Sequence, residues 1–406
     1  MNLKEQINNI GIIDQHLHAL DETQWVEAMG KFPFPEDTSH LPVPTPLTTL
    51  TRVKTLLTAY RELYDFNYST LTSDNIRELD ELYQLSKKDE TRIYYRIIER
   101  FNIEKAVVVC QNRLELPPGL DPEHFKITPI VDGLLVPLDN SEMKNSFNER
   151  ATMFILMCEA FLKKMRGNLK INSFEDYLKF LASLIGKIKE KGCVCLKMNF
   201  AYWRDIAIDI VSKEEARDVF ESNDTSPVRY KHLQDFLLRH IISKAAELDL
   251  PIQIHTGSLG VLRPMEESNP SRLEPFLWLS DIKKAKVVLL HGGFPFCREA
   301  GFMVSRPAKA PNLYLDISLI WWVHYGSPKA LVATLRQWLE MGIAEKLLYA
   351  SDANSPIGFC VGAMNIREGL YLALKGMIDD GLINEIQALS IAKMILRENA
   401  KKLYNI

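Results

Sequence analysis

The sequence predicts an α/β protein of the (β/α)8, or TIM-barrel, class with a large, mostly helical insertion after strand 1. Eight short apolar segments are typical of strands, and amphipathic helical stretches separate most of them. Several of these segments, such as 106–110 and 287–290, are continuously apolar, as in a parallel sheet covered on both faces. Strands alternating with helices in this number favour a barrel. The predicted strands are about residues 10–18, 105–111, 127–136, 193–200, 251–255, 286–291, 312–318 and 346–352.

Two connections are too long for simple crossovers. Residues 19–104 open with a proline-rich stretch and continue as a helical pattern from 47 to 100, so we expect an inserted helical cap subdomain. Because it follows the C-terminal end of a strand, we expect it to cover the barrel mouth and to set substrate choice. Residues 139–192 carry two helical stretches, the later opening with a capping-box sequence at Ser173. Without both insertions roughly 270 residues remain, the size of one barrel, so we predict a single domain over 1–406.

The composition is that of an ordinary globular protein, with 406 residues, 47% hydrophobic and 25% charged. A net charge of -3 gives no basic field for nucleic acid. No signal sequence and no apolar run of membrane-spanning length is present in the sequence, so we expect no membrane contact and a cytoplasmic location. The 6 cysteines are scattered, which favours reduced thiols. The expected partners are a small-molecule substrate and further copies of the chain in a homo-oligomer.

Side chains of the metal-ligand type end several predicted strands. The first strand ends in His16 and His18, and strand alternation points both imidazoles to one face. Alone, such a pair is more often incidental, but later strands end in His255, His291 and Asp352. Strand ends ring one mouth of a barrel, so His16, His18, His255 and Asp352 can converge on one divalent metal. Zinc suits a nitrogen-rich set with one carboxylate, and we expect one ion rather than two.

Such a metal would activate water for attack on a carbonyl group, because it lowers the pKa of a bound water towards about 7. Asp352 can supply an oxygen ligand or act as the base that takes the proton of that water. His291 can bind a second metal or act as a neutral hydrogen-bonding group near the reacting carbonyl. Lys197, in a buried apolar strand, has three interpretations: an ion pair with a carboxylate, a cation that binds substrate, or a carbamate that bridges two metals.

The order of these residues along the chain resembles the amidohydrolase superfamily of metal-dependent barrel hydrolases. Within it, the segments IHTG, LHGG and YASD at 254–257, 290–293 and 349–352 resemble the amidohydrolase-2 branch, as does Lys197 followed by AYWR at 201–204. That branch includes proteins similar to the amidohydrolase-like half of fungal FluG. The resemblance covers all eight strands but not the first insertion. It implies a metal at the predicted ligands and places His291 near the bound substrate.

We therefore predict a metal-dependent hydrolase whose metal-activated water attacks an amide, ester or lactone carbonyl of a small substrate that bears a carboxylate. The predicted catalytic residues are Asp352, His291 and Lys197. Substrate-binding residues are predicted after strands 4 and 7, where side chains can reach the barrel mouth. They are Arg204, Tyr202 and Trp322.

Two other functions stay open at this point. Relatives in the branch also decarboxylate or isomerise sugar acids, and a non-hydrolytic decarboxylase or uronate-isomerase-like enzyme can use the same metal site. The large insertion and the pair Trp321 and Trp322 resemble uronate isomerases, whereas His291 favours a hydrolase or a decarboxylase. A non-enzymatic binding barrel is disfavoured by the intact ligand set.

Overall fold

The structure is a computed structural model that describes residues 2–19, 53–70, 72, 75–257, 263–318 and 328–406. Strands occur in all eight predicted segments. They are β1 Ile12–Leu17, β2 Ile103–Cys110, β3 Phe125–Pro129, β4 Leu196–Met198, β5 Ile252–Ile254, β6 Val287–Leu289, β7 Leu313–Asp316 and β8 Leu347–Leu348. The described chain divides into two compact units. One comprises 1–108, 117–125 and 317–401, and the other comprises 109–116, 126–316 and 402–406.

Helices separate most of the strands, as the sequence predicts. The α-helices are Leu3–Asn8, Val53–Tyr64, Asn75–Lys87, Glu90–Arg100, Ser141–Ser146, Glu149–Arg166, Phe174–Glu190, Lys213–Ser222, Pro227–Glu247, Glu274–Leu277, Cys297–Val304, Pro328–Glu340, Pro356–Asp379, Glu385–Lys393 and Asn399–Tyr404. The helix Phe174–Glu190 begins where the capping-box sequence predicts, with the Ser173 side chain accepting a hydrogen bond from the backbone N–H of Asp176. No helix in the described part of the chain is both long and apolar enough to cross a membrane.

In the unit that contains residues 126–316, β4, β5, β6 and β7 are consecutive parallel neighbours. Parallel bridges at Ile127 with Cys193 and at Ile130 with Lys197 continue the pairing from β3 to β4. β4, β5 and β6 are buried along their whole length. The continuously apolar segments therefore form a covered parallel sheet, because both faces of such strands are packed.

In the other unit, β1 pairs in parallel with β2 on one side and with the chain after β8 on the other. The N–H of Gln15 donates to the carbonyl oxygen of Tyr349, and the N–H of Asp352 donates to that of His16 at 2.9 Å. The N–H of His18 donates to the carbonyl oxygen of Ala353 at 2.8 Å. These bonds extend the pairing beyond the two residues of β8 and bring the backbone of Asp352 beside His16.

Predicted strand 3 is shorter than the sequence indicates. β3 ends at Pro129, and a 3-10 turn, Asp132–Leu135, occupies most of the remaining predicted segment. Both oxygens of the buried Asp132 carboxylate accept the backbone N–H of Asn199, just past β4. The apolar run of this segment therefore reflects burial and not continued strand pairing.

The helical pattern at 53–100 is confirmed by three helices in the first insertion. Two of them, Val53–Tyr64 and Glu90–Arg100, pack against the helix Pro356–Asp379, and the rings of Tyr94 and Phe359 lie 5.8 Å apart. The proline-rich stretch lies outside the described residues. The position of the insertion over the barrel mouth and the single-domain organisation stay predictions. All six cysteines are buried free thiols, as expected.

Candidate metal centre and active site

His16, His18 and Asp352 lie together, as the sequence predicts. Oδ1 of Asp352 is 3.3 Å from Nε2 of His16 and 3.5 Å from Nε2 of His18. One ligand-type atom from each residue lies within 4.8 Å of the corresponding atoms of the other two. The His16 side chain is fully buried, whereas those of His18 and Asp352 are 23% and 18% exposed. Two of the three side chains are therefore partly accessible to solvent.

The spacing of these atoms fits a divalent metal ion. Two ligand atoms, each about 2.0–2.1 Å from a zinc ion and separated by a tetrahedral angle, lie about 3.3–3.4 Å apart. The observed separations of 3.3 and 3.5 Å agree with this value. Two imidazole nitrogens and a carboxylate oxygen are also the donor types that zinc, manganese and iron accept. The donor set and its spacing thus fit a resident transition metal.

Asp14 holds β1 and the chain after β8 in this arrangement, and sequence reasoning missed it. Its Oδ1 accepts the N–H of Ser351 at 3.0 Å and the N–H of His16 at 3.1 Å. Asp14 is fully buried, and charge-assisted bonds of this kind are stronger than neutral ones. The signal in the sequence is alternation, because Asp14 lies on the same strand face as His16 and His18. Asp352 itself has φ 50°, a left-handed conformation that is uncommon for a residue with a Cβ.

His255 and His291 form a second buried cluster. His255 directly follows β5, and His291 lies in the turn after β6. Nε2 of His291 is 2.8 Å from Nδ1 of His255, so the two imidazoles share a hydrogen bond. The Tyr202 ring, 4.5 Å from the His255 ring centre, stacks in turn against Phe154 at 4.1 Å. Phe154 comes from the helix Glu149–Arg166 of the second insertion, a contribution that the sequence did not indicate.

Lys197 is fully buried on β4, and Asp132 lies beside it. The N–H of Val131 donates to the carbonyl oxygen of Lys197, which aligns the two segments. Burial raises the pKa of Asp132 to about 7, and the N–H of Asn199 and the positive charge of Lys197 offset part of that increase. Asp132 is therefore a candidate carboxyl partner for the ion pair that is one of the three interpretations of Lys197. Sequence reasoning missed Asp132, although it closely follows a strand.

The predicted substrate-binding residues have different surroundings. Tyr202 is partly exposed and packs as described above. Arg204 is buried and forms an ion pair with Asp235, and its guanidinium also donates to Gln234 at 3.2 Å. Its substrate-binding role stays a prediction, and a substrate carboxylate would compete with Asp235 for it. Trp322 lies outside the described residues, as does Trp321.

Comparison with known sequences gives a family and one relative. A family model described as Amidohydrolase matches residues 187–406, more than half of the chain. The protein fluG of Emericella nidulans is 29% identical over 198 residues, which span 47% of this chain and 22% of that protein. The chain therefore corresponds to about a fifth of the length of this curated relative.

Solved structures resemble the fold over its whole length. A protein described as a metal-dependent hydrolase from Lactobacillus casei superposes with a TM-score of 0.68 at 20% identity, covering 100% of this chain and 97% of that one. A glucuronate isomerase from Caulobacter crescentus gives 0.66 at 16% identity over 99% and 93%, and a uronate isomerase from Thermotoga maritima gives 0.65 at 15% over 99% and 96%. At these identities the likeness shows the fold, and it confirms the predicted (β/α)8 class.

Proposed function

The chain belongs to the amidohydrolase family, and on that premise we propose that it is a metal-dependent hydrolase that cleaves an amide, ester or lactone bond of a small, carboxylate-bearing substrate. The observation that supports it most is the convergence of His16, His18 and Asp352, in which the Asp352 oxygen lies at separations from both imidazoles that suit a tetrahedral metal. Zinc is the proposed metal, as a single ion. His255 is the proposed third imidazole, because it directly follows β5 and strand ends meet at the mouth of this fold.

Each residue of the site has a proposed role in this reaction. His16, His18 and His255 would hold the ion through imidazole nitrogens, and Asp352 lies beside the first two. When bound, a divalent ion makes a water molecule acidic enough to lose its proton near neutral pH. Asp352 would accept that proton as the water oxygen bonds to the carbonyl carbon, and would return it to the nitrogen or oxygen that leaves when the amide, ester or lactone bond breaks. Tyr202 packs its ring against His255, and the buried Lys197 is proposed to supply a positive charge to the site.

The experiment is metal analysis combined with a substrate screen. The purified protein should contain about one equivalent of metal, and the variant carrying His16→Ala and His18→Ala should lose it because two of the ligands are gone. His124→Ala is the matched control, because His124 is a part-exposed histidine that pairs with Asp121 and is not a member of the cluster. Unchanged metal content in the double variant would refute the proposed ligation.

The same preparation separates hydrolysis from the other reactions. Acyl amides, lactones, phenolic acids and uronates are offered in parallel, and products are identified by mass and by carbon dioxide release. We expect turnover of an amide, ester or lactone that depends on the bound metal. Turnover of uronates alone would replace the hydrolase with an isomerase, and release of carbon dioxide would indicate a decarboxylase.

A further inference from the structure

One acidic side chain supports the turn after β6. Asp316, the last residue of β7, is fully buried, and its Oδ1 accepts a 2.6 Å hydrogen bond from the backbone N–H of His291. His291 has φ 64° and ψ 22°, in the left-handed region that residues with a Cβ seldom adopt. A buried bond from an N–H to a carboxylate is stronger than one between neutral groups. The bond therefore offsets the backbone strain at His291.

The conformation of His291 determines where its ring points. With this backbone, Nε2 of His291 lies 2.8 Å from Nδ1 of His255, and the ring centres are 4.3 Å apart. Both imidazoles are buried. The Tyr202 ring also contacts the His255 ring. His255 is thus held at its Nδ1 edge by His291 and against its ring by an aromatic residue.

Close packing around the turn after β6 restricts the backbone conformations that could place the His291 ring in the same position. A Cβ on Gly293 would lie 2.7 Å from Cγ of Pro270, and a Cβ on Gly257 would lie 2.3 Å from the carbonyl oxygen of Phe294. Both glycines have positive φ, at 63° and 76°. Because Gly257 packs on the backbone of Phe294 and Gly293 on the ring of Pro270, loss of the Asp316 bond should change His291 locally and not shift the whole turn.

We propose that Asp316 is a positioning residue that holds His291 in its left-handed conformation, so that His291 in turn fixes the tautomer and the plane of His255. The last step rests on the proposed function, in which His255 binds the metal. If Nε2 of His255 binds the ion, Nδ1 carries the proton and donates to Nε2 of His291. Outer hydrogen bonds of this type orient metal-binding histidines and typically change metal affinity by about 10–100-fold. In this arrangement His291 influences the metal centre through His255.

The test compares Asp316→Ala with Asp316→Asn in the metal-free protein. Asparagine keeps an oxygen that accepts the His291 N–H, whereas alanine removes it. Amide exchange at His291 should be faster by about tenfold or more in Asp316→Ala, the effect of one lost hydrogen bond, and faster by a smaller factor in Asp316→Asn, which keeps a neutral acceptor. The ring nitrogen shifts of His255 and His291 should move more in Asp316→Ala than in Asp316→Asn. Wild-type exchange and ring shifts in Asp316→Ala would overturn the proposal.

Two further measurements complete the test. In the wild-type protein labelled with nitrogen-15, a coupling across the bond between Nδ1 of His255 and Nε2 of His291 is expected, and its absence contradicts the proposal even if Asp316→Ala does not fold. With cobalt(II) as the probe, Asp316→Ala should bind about 10–100-fold more weakly and with an altered visible spectrum, and Asp316→Asn should be affected less than Asp316→Ala. If the wild-type protein binds no cobalt, the proposed metal function fails, whereas the exchange result still decides the role of Asp316.

Discussion

Asp132→Asn should change how the free energy of unfolding depends on pH. Burial raises the pKa of Asp132 from 3.8 to about 7 in the folded protein. The unfolded chain has the ordinary value, so between about pH 4 and 7 the folded state binds the proton more tightly, and stability falls as pH rises. At about 1.4 kcal/mol for each pKa unit, the total fall is roughly 4 kcal/mol, of which roughly 2–3 kcal/mol lies between pH 5 and 8. Asparagine does not titrate and removes this fall.

The assay is urea unfolding of both proteins at pH 5, 6, 7 and 8. The wild-type free energy of unfolding minus that of Asp132→Asn should decrease steadily across the series. Asp139→Asn is the control, because Asp139 is exposed and its pKa is lowered by hydrogen bonds from Ser141. That carboxylate stays ionised across this range in both states, so its difference from wild type should be constant. A constant difference for Asp132→Asn as well would refute the claim that burial keeps this acid partly protonated near neutral pH.

Asp352→Asn should lower kcat by on the order of 10²–10⁴-fold with the circular dichroism spectrum unchanged, because the proton acceptor is lost; near-normal turnover would remove Asp352 from the mechanism. Asp14→Ala should lower the free energy of unfolding by about 1–3 kcal/mol, since the buried N–H groups of Ser351 and His16 lose their acceptor, and a shift within error in urea would contradict that bonding. Gly257→Ala should lower the free energy of unfolding by at least about 1–3 kcal/mol, because Gly257 has a left-handed backbone and an added Cβ would collide with the carbonyl oxygen of Phe294. An unchanged melting temperature would argue against that contact.

The strands and the His16, His18 and Asp352 cluster could be predicted because each leaves a local pattern. Continuous apolar runs mark buried parallel strands, and His-X-His on a strand places two imidazoles on one face. Asp352 was found by its position after the last strand, where residues far apart in the chain meet. Strand ends were less accurate, as at β3, because burial alone makes a segment apolar whether or not it stays paired.

Asp14, Asp132 and Asp316 were not predicted, for a common physical reason. Each carboxylate accepts hydrogen bonds from backbone N–H groups distant in sequence. Because almost every residue type has a backbone N–H, the identity of the partner residue does not reveal such a bond. The strand-end argument that identified Asp352 applies equally to Asp316, the last residue of β7. The left-handed conformation of His291 was also hidden, because this backbone is uncommon for a residue with a Cβ and no pattern in the sequence indicates it.

Anomalous diffraction at the zinc absorption edge, from crystals of the protein purified without chelators, tests the metal centre most directly. We expect one strong anomalous peak about 2.0–2.2 Å from Nε2 of His16, Nε2 of His18 and an oxygen of Asp352. A peak at other residues, or none at this cluster in protein that contains stoichiometric metal, would contradict the account.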